Sequence, residues 1–350
     1  MSTDFESLVK TDVDLQAYNT LNISARARYF AIIESESQLK EILRHPKTED
    51  LKIIVLGGGS NVLFADDFDG LILHINIEGR EVIKETDDYV WLKIGAGENW
   101  HQTVRYCVDR GWGGIENLSL IPGTVGAAPI QNIGAYGVEL EEVFERLEAV
   151  DIEGRETREY EKKHCEFGYR DSIFKRELKG VVIVTNVVLK LSKDPKLNTS
   201  YGAIQSELEK RNIDQPTIRD ISDIVIDIRN SKLPNPELLG NAGSFFKNPI
   251  VKNEEYKRIK KEYPEVPGYD MGDDKTKVPA GWLIEEAGWK GKVVGNTGTY
   301  KQQALVIVNH GGATGAEILN LAERIKKSVK DTFGIALIPE VNIVSSDAKV

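Results

Sequence analysis

Cysteine and histidine are scarce in this sequence, which removes the side chains that most structural metal sites need. Only two cysteines, Cys107 and Cys165, and five histidines occur among 350 residues. Two isolated cysteines can supply neither a disulfide framework nor a zinc site of the usual spacing. The composition therefore indicates a reducing compartment and predicts no metal centre.

The sequence also lacks a signal peptide, a membrane span and an excess of basic residues. The first residues, MSTDFESLVK, contain no cationic region followed by an apolar run. The uncharged run at 117–138 contains two prolines and four glycines, which disfavour a membrane helix. Lys and Arg total 45 against 55 Asp and Glu, a net charge of −10, which argues against a general nucleic-acid binder. We expect a cytoplasmic protein, a monomer, that binds neither membrane nor nucleic acid.

The segment 121–137, IPGTVGAAPIQNIGAYG, has no charged residue in a chain that is 29% charged. Its glycines let the backbone bend, and its prolines prevent one continuous helix. Buried backbone amides without partners are costly, so a neutral loop of this kind usually encloses a ligand. This cradle segment (121–137) is typical of a loop that holds a flat, hydrogen-bonding ring. A buried loop without a ligand is the alternative.

A second ligand-binding candidate is the glycine turn (57–61), GGGSN, which follows the predicted strand 51–56. Glycines at a strand end let successive amides converge on a phosphate or pyrophosphate. Neither common nucleotide motif fits this turn. A P-loop would need a following Gly-Lys-Ser/Thr, and a Rossmann fingerprint would need its third glycine where Val62 stands. A plain tight turn is the alternative.

The remaining chain reads as mixed helices and strands. Hydrophobic patterning predicts strands at 27–33, 51–56, 71–77, 82–84, 89–94, 145–152, 156–160, 181–191 and 304–309, and a short final strand carrying Pro339, Glu340 and Val341. Helices are predicted at 37–44, 100–110, 203–211, 221–229 and 280–287, with Asn99 as the N-cap of the second, and a long last helix is predicted with Thr314 and Glu317 as its cap. The Pro-rich stretch 231–236 predicts the main domain boundary, and 251–277 receives no role.

Several loops together resemble one enzyme family. They are GGGSNVLF (57–64), the cradle segment, FGYRDSIFK (167–175), SKLPNP (231–236), GNAGSFFKNP (240–249), AGWLIEEAGWKG (280–291), QQALVIVN (302–309) and PEV (339–341). In this order they resemble the UDP-N-acetylenolpyruvoylglucosamine reductases, also called UDP-N-acetylmuramate dehydrogenases, the FAD enzymes of bacterial peptidoglycan precursor synthesis. The resemblance runs from about residue 19 to residue 341. The segment Ser200-Tyr201-Gly202 resembles the tyrosine-bearing loop of the family's longer subtype.

The resemblance implies an α+β protein with the FAD-binding fold of the vanillyl-alcohol-oxidase (PCMH) type in two subdomains. We expect the first subdomain at 1–75 and the second at 76–230. A smaller α+β substrate-binding domain would follow at 231–333, and 334–350 would supply a strand able to return to the first subdomain.

The resemblance also implies FAD, held without a covalent bond, and NADPH as co-substrate. The glycine turn, that is Gly57, Gly58, Gly59, Ser60 and Asn61, would hold the pyrophosphate. Gly123, Thr124, Gly126 and Ala127, with Tyr136 nearby, would line the flavin.

The family reaction reduces a UDP-sugar enolpyruvyl ether to a lactyl ether. The resemblance assigns Arg170 to the substrate carboxylate, a role that suits the planar, permanently charged guanidinium. A structural salt bridge between Arg170 and Asp171 or a neighbour is the alternative. Ser244 would donate the proton; a turn serine is its alternative, and a hydrolase nucleophile is disfavoured because the Gly-x-Ser-x-Gly elbow is missing. Glu340 would polarise the carboxylate side, and an exposed glutamate near a frayed end is its alternative.

Three more residues match positions that the family uses around the diphosphate: Tyr201, Lys232 and Asn248. For Lys232 a solvated surface lysine is the alternative. Arg229 and Lys247 are further cations to which the sequence assigns no role.

Two other functional classes, a flavin oxidase and a non-catalytic binding protein, are alternatives to the reductase. An oxidase of the vanillyl-alcohol type often tethers FAD to histidine or cysteine near the glycine turn, where this chain has Ser60 and Asn61. A non-catalytic flavin- or sugar-nucleotide-binding protein would have no need of Arg170, Ser244 and Glu340 together.

Because no Rossmann motif appears, NADPH and the enolpyruvyl sugar are expected to take turns in one cleft. That arrangement predicts ping-pong kinetics with substrate inhibition.

Overall fold

The computed structural model describes residues 4–345, and its amino-terminal part is built on a four-stranded sheet. The elements are α1 Phe5–Leu8, β1 Lys10–Asp14, β2 Arg26–Ile33, α2 Glu36–Arg44, β3 Ile53–Leu56, β4 Val62–Phe64 and β5 Phe68–Ile75. The sheet order is β1-β2-β5-β3, with β2, β5 and β3 parallel and β1 antiparallel. The glycine turn lies between β3 and β4, at the carboxyl end of a parallel strand.

A five-stranded antiparallel sheet forms the middle of the chain. Its elements are β6 Arg80–Glu85, β7 Tyr89–Gly95, α3 Trp100–Val108, β8 Gly134–Ala135, β9 Val138–Glu139, β10 Phe144–Asp151, β11 Thr157–Glu161, β12 Val182–Ser192, α4 Gly202–Lys210 and α5 Ile218–Lys232. The strand order is β11-β10-β12-β7-β6, and β8 pairs with β9. One hydrophobic core joins this sheet to the amino-terminal sheet, through buried residues such as Leu73, Trp100 and Val187. The cradle segment follows α3 and ends within the β8–β9 turn.

The carboxyl-terminal part has its own core. Its elements are β13 Gly240–Ser244, β14 Ile250–Lys252, α6 Asn253–Glu262, β15 Tyr269–Asp270, β16 Lys275–Lys277, α7 Ala280–Glu286, β17 Val293–Val294, β18 Thr297–Thr299, β19 Val306–Asn309, α8 Gly315–Phe333 and β20 Asn342–Val344. The strands form the sheets β13-β19-β18-β17 and β14-β16-β15. The apolar face of α8 packs into this core with Leu21, Ile23 and Leu63 from the amino-terminal part.

Strand β20 returns to the amino-terminal part and pairs in parallel with β4. The backbone carbonyl of Asn61 accepts hydrogen bonds from the backbone and side-chain amides of Asn342, at 3.1 and 3.0 Å. The last strand is therefore anchored beside the glycine turn.

Most predicted helices and strands are present, with two corrections. The last strand begins at Asn342, not at 339–341, because Pro339 makes a single bridge to Phe246 before the pairing with β4 begins. Ser231 and Lys232 belong to α5, so the Pro-rich break begins at Leu233; the preceding residues can continue a helix that a later proline ends. Residues 251–277, which had no predicted role, form α6 and most of a small sheet. The domain limits remain predictions.

Residues 4–345 contain neither a membrane-spanning helix nor a cluster of metal-binding side chains. No helix in this range combines the length and apolar character that crossing a bilayer requires. No cluster of three or more His, Cys, Asp and Glu side chains there is arranged to hold a metal ion.

Candidate active site

The glycine turn and the cradle segment are in close contact. A Cβ atom added at Gly57 would lie 2.5 Å from the Thr124 hydroxyl oxygen, and one added at Gly58 would lie 3.0 Å from the Cα of Gly123. Such distances leave no room for a side chain at either position. The two loops that the sequence singled out thus form one surface.

Backbone amides on this surface are free to bind a ligand. Among residues 4–345, no acceptor pairs with the backbone N–H of Gly58, Gly59, Ser60 and Asn61, or with those of Gly123 and Thr124. Successive unpaired N–H groups form the kind of nest that binds phosphate oxygens. The geometry therefore fits a pyrophosphate group against the glycine turn.

The floor of the cradle segment is fixed to the middle sheet and to α3. The amide of Gly126 donates to the carbonyl of Ala96 at 2.9 Å, and the amide of Trp100 donates to the carbonyl of Gly123 at 3.0 Å. Asn99 caps α3 by accepting from the amide of Gln102 at 3.0 Å, as the sequence predicted. Ala127 is exposed, so the segment has one face open to a ligand.

Tyr136 closes the far end of the cradle segment. It has a positive φ of 52°, and its ring centroid lies 5.2 Å from that of Tyr201, edge to face. Burial raises the pKa of the Tyr136 phenol, while the guanidinium of Arg229 opposes that rise. The phenol is therefore a neutral hydrogen-bonding group at neutral pH.

Arg170 lies on a tight turn that aims its guanidinium beneath the cradle segment. The residue has a φ of 54°, its Nη2 donates to the carbonyl of Gly134, and Asp171 pairs with Arg176 instead of Arg170. The alternative salt bridge is therefore not formed with Asp171, although the carboxylates of Glu340 and Glu139 lie 3.7 and 4.0 Å from the guanidinium. The buried Nη1 of Arg170 has no hydrogen-bond partner among the described residues. An unpaired buried N–H of this kind is costly unless a ligand completes it.

Glu340 faces Arg170 from the carboxyl-terminal part. Its side chain is only 17% exposed, so Glu340 is not the frayed-end residue of the alternative interpretation. Its amide donates to the carbonyl of Phe245 at 2.8 Å, and its own carbonyl accepts from Asn61 Nδ2 at 3.3 Å. These bonds hold it between the Ser244 strand and the glycine turn.

The electrostatics around Glu340 are mixed. Burial raises the pKa of the Glu340 carboxyl, and the positive charges of Arg170, Lys175 and Lys247 oppose that rise. Burial in turn lowers the pKa of Lys175, whose ammonium donates to the carbonyl of Arg170 at 3.3 Å. The site thus concentrates three cations around one buried carboxyl, which suits an anionic ligand.

Ser244 ends β13 with its side chain exposed. Its hydroxyl makes no hydrogen bond within 4–345, so the self-satisfied turn serine of the alternative interpretation is not what is found. Phe245 and Phe246 behind it are each 1% exposed and fix the backbone that carries the hydroxyl. Since Phe245 bonds to Glu340, Ser244 and Glu340 lie on adjoining backbone segments.

The three residues predicted at the diphosphate differ in setting. Tyr201 is 47% exposed and precedes α4, and Lys232 is exposed in the last turn of α5. Asn248 is partly engaged, because its Oδ1 accepts from the amide of Ala280 at 2.9 Å and caps α7. Its amide N–H₂ group remains for a ligand. No hydrogen bond joins any two of these three in the described structure.

Sequence reasoning missed the asparagines that link the cradle segment to the Tyr201 loop. The Nδ2 of Asn117 donates to the carbonyls of Tyr136 at 3.0 Å and Asn198 at 2.9 Å. Asn198 in turn donates to the carbonyl of Gly137 at 2.8 Å. A buried asparagine at the start of the uncharged run was the available signal. The packing also places Lys175 and Lys247 near Glu340, and Arg229 against the carbonyl of Leu120, which the sequence alone did not indicate.

Comparison with known proteins gives consistent matches along the chain. Residues 235–344 match the family described as UDP-N-acetylenolpyruvoylglucosamine reductase, C-terminal domain, and residues 27–158 match the FAD binding domain family. The chain is 50% identical to the UDP-N-acetylenolpyruvoylglucosamine reductase of Flavobacterium johnsoniae, over 96% of this chain and 99% of that protein. It is 46% identical to the same enzyme of Pseudomonas aeruginosa, over 94% and 97%. The crystal structure of the Thermus caldophilus enzyme aligns at 25% identity with a TM-score of 0.68, covering 96% of this chain and 99% of that one.

Proposed function

The chain belongs to the UDP-N-acetylenolpyruvoylglucosamine reductase family, and from this premise we propose a division of labour among its site residues. The reaction is the NADPH-dependent reduction of UDP-N-acetylglucosamine enolpyruvate to UDP-N-acetylmuramate, a step of peptidoglycan synthesis. The oxidase and non-catalytic alternatives are not favoured, since relatives of known name match over 90% or more of both chains.

FAD is the cofactor, and the residues present fit it. The unpaired amides of the glycine turn would hold the pyrophosphate, while Gly123, Thr124, Gly126, Ala127 and Tyr136 would line the flavin. The close packing of Gly57 against Thr124 supports this placement, because it leaves space only for a ligand on the open face. When bound, FAD supplies the hydride that NADPH delivers to the enzyme.

Arg170 would bind the carboxylate of the enolpyruvyl group. Its unpaired Nη1 is the donor available for that contact. Negative charge develops on the carboxylate side as the double bond is reduced, so a fixed guanidinium stabilises the transition state more than the ground state. Glu340, held 3.7 Å from the guanidinium Nε, would orient Arg170 and polarise the same carboxylate as a protonated acid.

Ser244 would give the proton to the carbon next to that carboxylate. A hydroxyl is a weak acid, so it donates only to a carbanion-like centre or beside positive charge. The exposed hydroxyl of Ser244 is free for this task, and Glu340 lies on the adjoining segment. Tyr201, Lys232 and Asn248 would contact the diphosphate of the nucleotide sugar.

One observation carries these assignments: Arg170 has a buried, unpaired N–H beside a buried glutamate. The experiment is an anaerobic titration of the purified yellow protein. NADPH should bleach the flavin, and UDP-N-acetylglucosamine enolpyruvate should restore its colour in one-to-one turnover. If only oxygen restores the colour, the protein is an oxidase and not the reductase. If the protein cannot bind flavin, the assignment to a flavin enzyme is wrong.

We also propose a single cleft that NADPH and the sugar nucleotide occupy in turn. Support comes from the absence of a Rossmann motif in the sequence. Initial-rate plots should show parallel lines, with inhibition by excess substrate. Intersecting lines would demonstrate a ternary complex instead.

A cytoplasmic monomer is the proposed working form, since the cytoplasm supplies NADPH and nucleotide sugars. Light scattering during gel filtration tests the monomer, and a mass of twice 39.1 kDa would contradict it. Cell fractionation tests the compartment.

A further inference from the structure

Leu120, the residue immediately before the cradle segment, has an unusual backbone conformation. Its φ is 57°, in the left-handed region that leucine rarely adopts. Such a residue persists only where its surroundings hold it. The chain reverses here to enter the cradle segment, so whatever holds Leu120 sets the direction of that segment.

Two side chains hold Leu120, one through its backbone N–H and one through its backbone carbonyl. The amide of Leu120 donates to Nδ1 of His101 at 2.9 Å, and its carbonyl accepts from Nε of Arg229 at 3.1 Å. His101 lies in the first turn of α3, next to Trp100, whose indole donates to the carbonyl of Leu118 at 2.9 Å. The first turn of α3 therefore bonds to the backbone of both Leu118 and Leu120, the residues that lead into the cradle segment.

The contact from His101 depends on its charge. A neutral imidazole can accept through Nδ1 while its proton sits on Nε2, whereas a protonated imidazole donates from both nitrogens. Protonation would place an N–H of His101 against the N–H of Leu120.

The groups that face His101 keep it neutral. Burial lowers the pKa of the imidazole most, and the charges of Arg105, one turn further along α3, and of Arg229, which approaches from α5, lower it further. Asp223 of α5 is the partner of Arg105 at 2.5 Å. The loop from α3 to β8 that carries Leu120 contains Asp109, Arg110 and Glu116. The carboxylate of Asp109 accepts from Arg219 at 2.7 Å, and that of Glu116 accepts from the amide of Gly114 at 2.6 Å.

We propose that His101 is a positioning residue for the cofactor: as a neutral acceptor it holds Leu120 in the conformation that aims the cradle segment, and its protonation speeds the loss of FAD. The inference rests on the proposed function only in that the cradle segment holds FAD. No contact between His101 and the reacting atoms is required.

The experiment measures flavin release from the holoenzyme, followed as the rise of flavin fluorescence after dilution, between about pH 5 and about pH 8. In the wild type, release should accelerate as the pH falls below the ordinary histidine pKa of 6.5. We expect a change of about tenfold, the scale of one lost hydrogen bond that leaves an amide unpaired.

Two variants and a control isolate the contact. In His101→Asn, Oδ1 takes the place of Nδ1 as an acceptor that does not titrate, so release should stay slow and lose the acceleration at low pH. His101→Leu lacks the acceptor and should release flavin about tenfold faster at every pH. His164→Leu is the matched control, because exposed His164 accepts a backbone N–H from Glu161 through the same atom at 3.2 Å, outside the site. It should keep the wild-type profile.

The proposal is overturned if His101→Asn retains the wild-type pH profile or if His101→Leu releases flavin at the wild-type rate. If His101→Leu does not fold, the profile of His101→Asn decides alone. A wild-type protein that binds no FAD would instead refute the assignment of the cradle segment, so the two failures are distinguishable.

Discussion

The Nε of Arg170 lies 3.7 Å from Oε1 of Glu340, a separation that permits attraction but exceeds a direct hydrogen bond. A second carboxylate, Glu139, stands 4.0 Å from Nη1. Neither carboxylate closes on the guanidinium, which is 21% exposed. Arg170 is therefore held in place while one N–H stays available, which is the condition for binding a carboxylate from outside.

Replacing Arg170 by lysine tests the need for the planar fork. Arg170→Lys keeps the charge but cannot bind a carboxylate in two places, so the rate of the enolpyruvyl half-reaction should fall about 10²–10³-fold. Stopped-flow absorbance of the flavin measures that step. Arg176→Lys, on the same loop and paired with Asp171 and Glu166, is the control and should react at the wild-type rate. If both variants react at the same rate, Arg170 does not bind the substrate carboxylate.

Replacing Ser244 by alanine separates the two half-reactions. Ser244→Ala should leave the reduction of flavin by NADPH unchanged and slow the second half-reaction by about 10²–10⁴-fold, the contribution of a positioned acid. Ser206→Ala, on the exposed face of α4, is the control. A Ser244→Ala enzyme that turns over normally would show that solvent supplies the proton.

The buried carboxyl of Glu340 should lower stability at neutral pH. Burial raises its folded-state pKa above the ordinary 4.5, so the folded protein binds this proton more tightly than the unfolded chain. The resulting loss of stability begins as the pH rises through 4.5 and is complete above the folded pKa. Glu340→Gln should therefore raise the melting temperature at pH 7 while reducing activity, and the stability gain should vanish below the ordinary pKa.

Thermal melts at several pH values measure this effect. Glu237→Gln, an exposed glutamate, is the control and should melt like the wild type throughout. A Glu340→Gln protein less stable than the wild type at pH 7 would show that its ion pairs outweigh its burial.

Filling the floor of the cradle segment should expel the flavin. A Cβ at Gly126 would lie 2.5 Å from the Cβ of Ala96, on backbone that cannot yield. Gly126→Ala should lower the free energy of unfolding by about 1–3 kcal/mol and give protein with little bound flavin. Gly202→Ala is the control, because no atom lies within 4 Å of its added Cβ. Absorbance per protein after gel filtration measures the flavin content, and full occupancy in Gly126→Ala would contradict the prediction.

The two thiols should be inert in the folded protein. Cys107 and Cys165 are each fully buried, and burial raises the pKa of the Cys107 thiol to about 12. Thiolate is the reactive form, so a disulfide reagent should titrate neither until the protein unfolds. Rapid reaction of either thiol in native buffer would indicate local opening of the core that joins the middle sheet to the amino-terminal sheet.

Local features of this fold could be predicted because their signals are short. Asn99 precedes a helix and caps it, and Thr314 with Glu317 forms the capping box that the sequence indicated. The glycine turn and the cradle segment could be recognised from composition alone. Their contact could not, since Gly57 and Thr124 are joined by folding and not by any repeating pattern.

The remaining site features depend on tertiary packing. The pairing of β20 with β4 produces no hydrophobic periodicity in either segment, so the sequence placed the start of the last strand too early. The positive φ of Arg170 and of Leu120 is imposed by their surroundings, because neither residue favours that conformation in isolation. Residues 251–277 are charged on their outer face, which conceals the buried Ile259 and Val266 that fold them against α8.

The parallel pairing of β20 with β4 has a consequence for synthesis on the ribosome. Domains generally form in the order in which they leave the ribosome, so the glycine turn and the cradle segment can assemble early. Glu340 and the strand beside Asn61 are translated more than 200 residues after both of these loops. A chain cut short before residue 340 would retain the flavin-binding loops without the carboxyl partner of Arg170. Translation must therefore pass residue 340, long after the flavin-binding loops have emerged, before this protein can acquire its chemistry.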